Sequence, residues 1–573
     1  MPEGTERHGF VITFGHDAGK VGAGEAVHYV PGPAAWTEAK APHAQAWCYG
    51  ELLSYRGDGS TSECLERFLA DHGAGRASYS DLNGRFVLLI LDRAGKEWEI
   101  VTDRMGAMHA YWLRRGERVE MIGSDLAAVA RRGSQRELDW EGIASFFALG
   151  FFIDDLTIYR DVQILEPASV YRISPDGRLL QYTRYFRWHH TIDRARSYDE
   201  TIEAYDALLR KAVRRATAHG RAILPISGGL DSRSLAMVLP EGPATQAYSY
   251  GYSPDSVETR IAAQVARARG FSFTAHTIRP YLFDRLPEIV LTLHGCQDVT
   301  MARQMSVNAW VRERADAVLT GLWGDVWHDQ MGLADGVPPG VSIAGHVMHK
   351  MAKRGRGWLL EHVCRPRLGE QEIEKVLEAR IAEGLRSFGD IEDPDWRVKA
   401  YKNTHWAFRW SNASLRGFEV GARPRIPYYD TDLIDFFCTV PTAYVRDRRL
   451  QVDHLKRYAP DLARIRWQQA EANLYLARYG YWVSLPRRAF QRLRWAFRGQ
   501  QALQRNWEVQ LLSPEGRAGL EEWLLREGLT LHEFVSPETI RELVEGFYAR
   551  PGAANGYTVS MLLTFSAWLE VMT

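Results

Sequence analysis

Cysteine is scarce and scattered in this chain: five residues in 573, Cys48, Cys64, Cys296, Cys364 and Cys438, with no CxxC pair. An odd number without paired spacing excludes a disulfide framework and a cysteine zinc site, and it suits a reducing compartment, so the expected location is the cytoplasm. Long apolar runs are lacking as well. No stretch approaches the ~18 uncharged apolar residues of a membrane-spanning helix, and the opening MPEGTERHGF has no apolar core of a secretion signal. Formal net charge is zero, so the field of the whole molecule gives no reason to expect a nucleic acid or an anionic membrane as partner. Internal repeats and low-complexity tracts are absent.

What is present is enough for more than one hydrophobic core. At 573 residues, 46% hydrophobic and 25% charged, the composition is that of a multidomain globular protein. From about Gly9 to Phe186 the runs are short and strand-like: GFVITFG, RFVLLILD (85–92), EWEIVTD (97–103), AYWL (110–113) and SVYRI (169–173). Helical pieces interrupt them around Asp125–Arg131 and Trp140–Leu149. The polar RWHHTIDRARSYDE (187–200) reads as a linker, which places one domain at residues 1–190 and a second at 191–573. From Tyr198 the apolar period becomes helical, and strands then alternate with helices: AILPI, TQAYSYGY and FTAHTI are separated by amphipathic segments. That alternation implies parallel βαβ units. Residues 340–420 and 500–573 read as mostly helical additions.

The stretch ILPISGGLDSRSLA (223–236) carries the chemistry. A strand ends in a loop that opens a helix, the place where doubly wound sheets bind ligands. Gly228 and Gly229 let backbone N–H groups approach a phosphate, Ser227 and Ser232 add hydroxyls, and Leu230 and Asp231 open the helix with its positive dipole end. An aspartate there repels phosphate unless a cation lies between, so Asp231 predicts magnesium. The loop has no lysine and no GxxxxGK[ST], which excludes a Walker loop.

SGGLDS (227–232) resembles the pyrophosphate loop of the ATP-pyrophosphatase amide synthetases, the asparagine synthetase superfamily. VLTGLWGD (318–325) resembles its second signature, which makes Gly321 a nucleotide contact and Asp325 a magnesium ligand. RIPYYDTDLIDFFCTVP (425–441) resembles its Arg-x-Pro motif. GRFVLLILD, TDRMGAMHAYW (102–112), GSDLAAV (123–129) and TIYRDVQILEPASVY (157–171) resemble its amidohydrolase-like N-terminal domain. The resemblance implies an α/β protein: a degenerate Ntn-hydrolase-like αββα sandwich, then a parallel-sheet ATP-pyrophosphatase domain with helical additions. It also implies ATP and Mg²⁺ as cofactors, adenylation of a carboxylate with release of pyrophosphate, and adenosine binding at Tyr248, Ser249, Tyr250 and Gly251.

Departures from the family pattern narrow the activity. Glutamine-dependent members begin with a catalytic cysteine, whereas here His8-Gly9-Phe10-Val11 stands at that point, behind seven extra residues. A histidine inside the chain cannot supply that thiol and α-amine, so the first domain is expected to lack glutaminase activity and the amine to come from the substrate. β-Lactam synthetases and lasso peptide cyclases share that property. The proton-accepting positions of the β-lactam branch carry Leu322 and Arg423. An α-amine, with a pKa near ~8, needs less help than an amide nitrogen, which favours lasso cyclisation. Its partners would be a precursor or core peptide, a leader peptidase and a leader-binding protein. Glu419 and His328 are the candidates to take the proton. The family's oxyanion-stabilising lysine is replaced in PDLARIRWQQAEANL (460–474) by Gln468 and Gln469, with Lys456 and Arg466 as the nearby cations. Trp323 and Trp327 are candidate walls of a peptide pocket. His294–Asp298 lies where family members meet the acceptor substrate, without metal-ligand spacing. The basic RRAFQRLRWAFR (487–498) is a candidate partner surface.

Overall fold

The computed structural model describes residues 9–14, 27–30 (backbone only), 36–93, 97–132, 136–254, 256–369, 372–477 and 505–572. His8 and the basic stretch 487–498 lie outside them.

The first domain is two antiparallel sheets face to face. Its strands are β1 (Gly9–Thr13), β2 (Val27–Val30), β3 (Trp36–Lys40), β4 (Ala44–Ser54), β5 (Asn83–Asp92), β6 (Trp98–Thr102), β7 (Tyr111–Arg115), β8 (Arg118–Gly123), β9 (Val162–Ile164), β10 (Ser169–Ile173) and β11 (Leu179–Arg184). They are ordered β2-β1-β8-β7-β9 in one sheet and β11-β10-β6-β5-β4-β3 in the other. The side-chain period of two explains why β5 is apolar throughout. Val87, Leu89 and Leu91 face the other sheet, against Phe10, Ile12 and Trp112. Phe86, Leu88 and Ile90 face outward, under the helix α1 (Thr61–Gly73) and its Leu65, Phe68 and Leu69. On the far side, α2 (Leu126–Arg132) and α3 (Trp140–Leu149) cover Tyr111, Leu113 and Met121. The result is the αββα sandwich. Ser60 and Glu63 close a capping box at the start of α1.

The linker runs along the second domain, where Thr191 N–H donates to Cys438 O at 3.0 Å and Asp193 N–H to Thr439 O at 3.0 Å. Ser197 and Glu200 then cap α4 (Tyr198–Thr217) reciprocally. The third sheet comprises β12 (Ala222–Pro225), β13 (Gln246–Gly251), β14 (Ser272–Thr277), β15 (Ala317–Leu319) and β16 (Arg423–Arg425). All are parallel, in the order β14-β13-β12-β15-β16. The helices α5 (Asp231–Val238) and α6 (Val257–Ala268) make the crossovers. Chain direction across the sheet reverses between β12 and β15, so the crevice beyond their carboxyl ends is the topological switch point where such sheets bind ligands.

Helices after β15 and from Asn506 onward wrap this sheet, among them Ala553–Met572, which is apolar on nearly every face and buried accordingly. No helix among the described residues is long and apolar enough to cross a membrane. The five cysteines are unpaired and buried.

Candidate active site

The switch point is built by two loops in close contact. The first follows β12. Its Ser227 N–H donates to Ser232 Oγ at 3.0 Å, the two hydroxyls lie 3.1 Å apart, and Gly229 N–H donates to Ser227 Oγ at 3.2 Å. Leu230, the N-cap of α5, contributes no side-chain cap, so the first-turn N–H groups of that helix keep their capacity for an anion. The second loop follows β15. A methyl group on Gly321 would lie 2.9 Å from Ser232 N, and one on Gly324 would lie 2.8 Å from both Asp231 Oδ1 and the Tyr428 ring. Glycine is required at both points because the loops leave no room for a Cβ. Trp323 between them takes a left-handed backbone (φ 73°), held by its indole N–H donating to Asn403 Oδ1 at 2.6 Å. Gly324→Ala is therefore expected to push Asp231 and Tyr428 apart and lower turnover about 10²-fold, since displacements near 1 Å cost that much. Steady-state rates beside a thermal melt will check it.

Asp231, Asp325, Ser227, Gly228, Gly229, Leu230, Ser232 and Gly321 are thus brought to one crevice. Asp325 is exposed. About 23% of the Asp231 side chain reaches solvent. Desolvation raises the Asp231 pKa to about 6, with Arg448 opposing and the Asp325 charge reinforcing the rise. Two carboxylates repelling each other beside a phosphate-sized loop fit a divalent cation that takes its remaining oxygens from a triphosphate and water. Among the described residues, no third acidic, histidine or cysteine ligand completes a protein cage.

Several residues of this site come from far along the chain. Arg448 Nη1 donates to Asp231 Oδ1 at 3.3 Å, and Gln451 Nε2 donates to the same oxygen at 3.0 Å. Asp447 and Arg448 both adopt left-handed backbone, the kind of strain that clusters at functional sites. Arg233, fully buried in α5, donates to the carbonyls of Leu462 (3.2 Å), Ile465 (2.9 Å) and Arg466 (2.8 Å). It thereby pins the segment carrying Gln468, whose N–H donates to Gly228 O at 3.1 Å. Gln468 stands over the loop so closely that any side chain on Gly228 would strike it.

Other expected residues lie elsewhere. Lys456 is ion-paired with Asp453 at 3.6 Å and packs over Tyr475. It lies eight residues beyond Arg448, the N-cap of its helix, about 12 Å along the axis; the cation that contacts Asp231 is Arg448. Glu419 is paired with Arg85 of the first domain and precedes β16, on the amino side of that strand, away from the carboxyl ends that carry the aspartates. His328 is wholly buried with Nδ1 2.8 Å from Gly324 O, and burial pushes its pKa well below the usual range. The Tyr248 side chain is core: it is fully buried and its hydroxyl donates to Gln304 Oε1 at 2.9 Å. Ser249, also buried, points to the opposite face. Trp327 is core too, stacked on Phe437 at 5.2 Å and donating to Tyr428 O. Leu322 packs against the main core, and Arg423 is occupied by Glu51 at 2.7 Å. His294 contacts Arg416 and Tyr111, and Asp298 caps Thr300 and accepts from Ser560. This cluster serves packing between the domains.

Comparison with known proteins adds the following. Residues 53–186 match the family model for a glutamine amidotransferase domain, and residues 204–325 the one for asparagine synthase. A glutamine-hydrolysing asparagine synthetase of Bacillus subtilis (strain 168) is 25% identical over 223 residues, which are 37% of this chain and 34% of that protein. The chain thus matches about a third of that relative's length. A glutamine phosphoribosylpyrophosphate amidotransferase from B. subtilis, complexed with ADP and GMP, aligns at 12% identity over 49% of this chain and 62% of its own, with a TM-score of 0.19. An allosteric regulatory enzyme of purine biosynthesis aligns at 13% identity over 47% and 59%, also with a TM-score of 0.19.

Proposed function

We propose that this asparagine synthetase homologue is an ATP-dependent, AMP-forming ligase that closes an amide within one peptide, as lasso peptide cyclases do. A side-chain carboxylate of Asp or Glu attacks the α-phosphorus of ATP, the bond to the β-phosphate oxygen breaks, and pyrophosphate leaves. The peptide's N-terminal amine then attacks the acyl carbon, AMP departs and the amine loses its proton. The observation that carries this reading is the meeting of Asp231 and Asp325 beside the SGGLDS loop at the switch point. Magnesium, when held there, supplies positive charge to the triphosphate. Ser227, Ser232 and the first turn of α5 cradle the departing pyrophosphate. Arg448 and Gln451 set the Asp231 carboxylate, and Gln468 closes the loop from above.

Support for an intramolecular amine comes from His8 standing where the family's cysteine nucleophile stands. Support against a β-lactam product comes from Leu322 and Arg423, neither of which offers a base. In this reading the first domain is a scaffold without glutaminase activity, and the peptide arrives through a leader peptidase and a leader-binding protein.

The test supplies ATP, Mg²⁺ and unprotected synthetic peptides with a free N-terminus and a single Asp or Glu. Peptide-dependent ATP–pyrophosphate exchange is expected, with a product lighter by one water and one AMP per ring. Glutamine-dependent conversion of free aspartate to asparagine, or release of ADP in place of AMP, would overturn it. Exchange confined to small free carboxylates would identify a β-lactam-type synthetase, and absence of exchange with every carboxylate a scaffold.

A further inference from the structure

Beside the Asp325 loop lies a further cation, Lys402. Residues Lys402–Ser411 form a ten-residue π-helical segment, and such segments are rare and gather at functional sites. Its first residue, Lys402, holds its ammonium 4.6 Å from the centre of the Trp406 ring and 5.7 Å from that of Trp323. Trp323 belongs to the Asp325 loop and is tied to this segment through Asn403. The Asp325 charge accordingly acts on Lys402, together with those of Lys350, Asp329 and Asp395.

None of those carboxylates is within 4.0 Å, and among the described residues the ammonium donates no hydrogen bond. Two more donors on the same turn, Asn403 Nδ2 and Trp406 Nε1, are buried without an acceptor. Unmet donors on the turn that carries a cation, withdrawn from water and beside two indoles, are costly unless an acceptor arrives. An ionised carboxylate offers acceptors only, on two oxygens, and brings the opposite charge.

We infer that Lys402, with Trp323 and Trp406 as walls, binds the substrate carboxylate that is to be activated and holds it beside the Asp325 loop. This deepens the ligase reading and rests on it for the identity of the carboxylate. Such a site would give a preference for an acidic side chain, which a purely apolar pocket could not supply. Lys353, over Trp406 at 5.9 Å and Trp410 at 5.6 Å, continues the same aromatic wall.

The experiment compares Lys402→Met and Lys402→Arg with the full-length wild type. The probes are the synthetic single-Asp or single-Glu peptides and their Asn or Gln counterparts. Binding without ATP is read from tryptophan fluorescence, and KM values for peptide and ATP from pyrophosphate exchange. Losing a charge-assisted contact should raise the peptide KM of Lys402→Met about 10- to 100-fold. The ATP KM should stay within about twofold, and Lys402→Arg should restore most of the affinity. Wild type should favour the acid over the amide peptide, and Lys402→Met should not. A peptide KM within about threefold of wild type in Lys402→Met, with the acid preference kept, would overturn the inference. Should wild type bind acid over amide through Lys402 yet show no exchange, the carboxylate site stands and the ligase reading falls. Wild type with neither exchange nor acid preference ends both.

Discussion

Asp325→Asn is expected to lower ATP–pyrophosphate exchange by about 10³-fold or more, the scale of losing one of two carboxylates that offset triphosphate charge, while the fold stays intact. The two halves of that expectation have separate causes. Asp325 is exposed and makes no hydrogen bond or ion pair within the described residues, so its charge contributes little to stability. It instead repels Asp231. Neutralising it should let the Asp231 pKa fall from about 6 toward the ordinary carboxylate range, and the melting temperature should hold or rise slightly. Asp231→Asn should lose as much activity but also disturb the contacts from Arg448 and Gln451. Exchange assays at saturating Mg²⁺ beside calorimetric melts separate these effects. An Asp325→Asn enzyme with near wild-type exchange would remove the central observation on which the proposed function stands.

The second large effect concerns the joint between domains. Arg425 Nε donates to Glu51 Oε2 at 3.0 Å and Nη2 to Glu51 Oε1 at 2.8 Å, while Nη1 reaches the carbonyls of Ala216 (2.8 Å), in the last turn of α4, and His219 (2.6 Å), just beyond it. Arg423 adds a further contact to Glu51. Burial pushes the Glu51 pKa up, and Arg425 and Arg423 together outweigh it and hold the group below its usual value. Arg425→Met leaves a buried carboxylate and two carbonyls short of donors, and breaking a buried pair in this way costs about 3–5 kcal/mol. The denaturant midpoint should fall accordingly. A pKa lowered in the folded state means that the pair's stabilisation is complete above the unfolded value, near ~4.3, and disappears as pH falls through the lower folded value. The gap between wild type and variant should therefore be widest at neutral pH and close in acid. Glu51→Gln added to Arg425→Met should recover part of the loss, because no buried charge is then left unpaired. An unchanged midpoint at pH 7 would show that the domains do not depend on this clamp.

Much of the architecture was legible from local pattern. A run such as RFVLLILD reads as a strand, and β5 is that strand, covered on both faces. The helical apolar period that begins at Tyr198 marks the start of α4. The SGGLDS loop could be located because its glycines, hydroxyls and carboxylate lie within six consecutive residues, and Asp325 because VLTGLWGD resembles the second signature of the asparagine synthetase superfamily. The misplaced residues share a different property. Tyr248 and Ser249 are neighbours, yet a strand sends them to opposite faces, and only the sheet's packing tells which face is core. Trp327 sits one helical turn past Trp323 in the same short run; both are buried, Trp327 stacked on Phe437 and Trp323 tied to Asn403. Lys456 lies inside the helix Arg449–Tyr458 whose N-cap is Arg448, and only the placement of that cap beside Asp231 selects the arginine.

From the chain alone, then, came a strand-rich first part, a second part of alternating strands and helices, and one loop able to hold phosphate beside a carboxylate, because dihedral preference and apolar period act between near neighbours; the αββα layering was what the family resemblance implied. Folding in three dimensions decided what surrounds that loop. Arg448, Gln451 and Gln468 reach it across 217 to 240 residues of sequence, and no short-range rule carries such distances. Their place is set by burial of distant surfaces against one another, which orients a side chain only once the whole interior has closed.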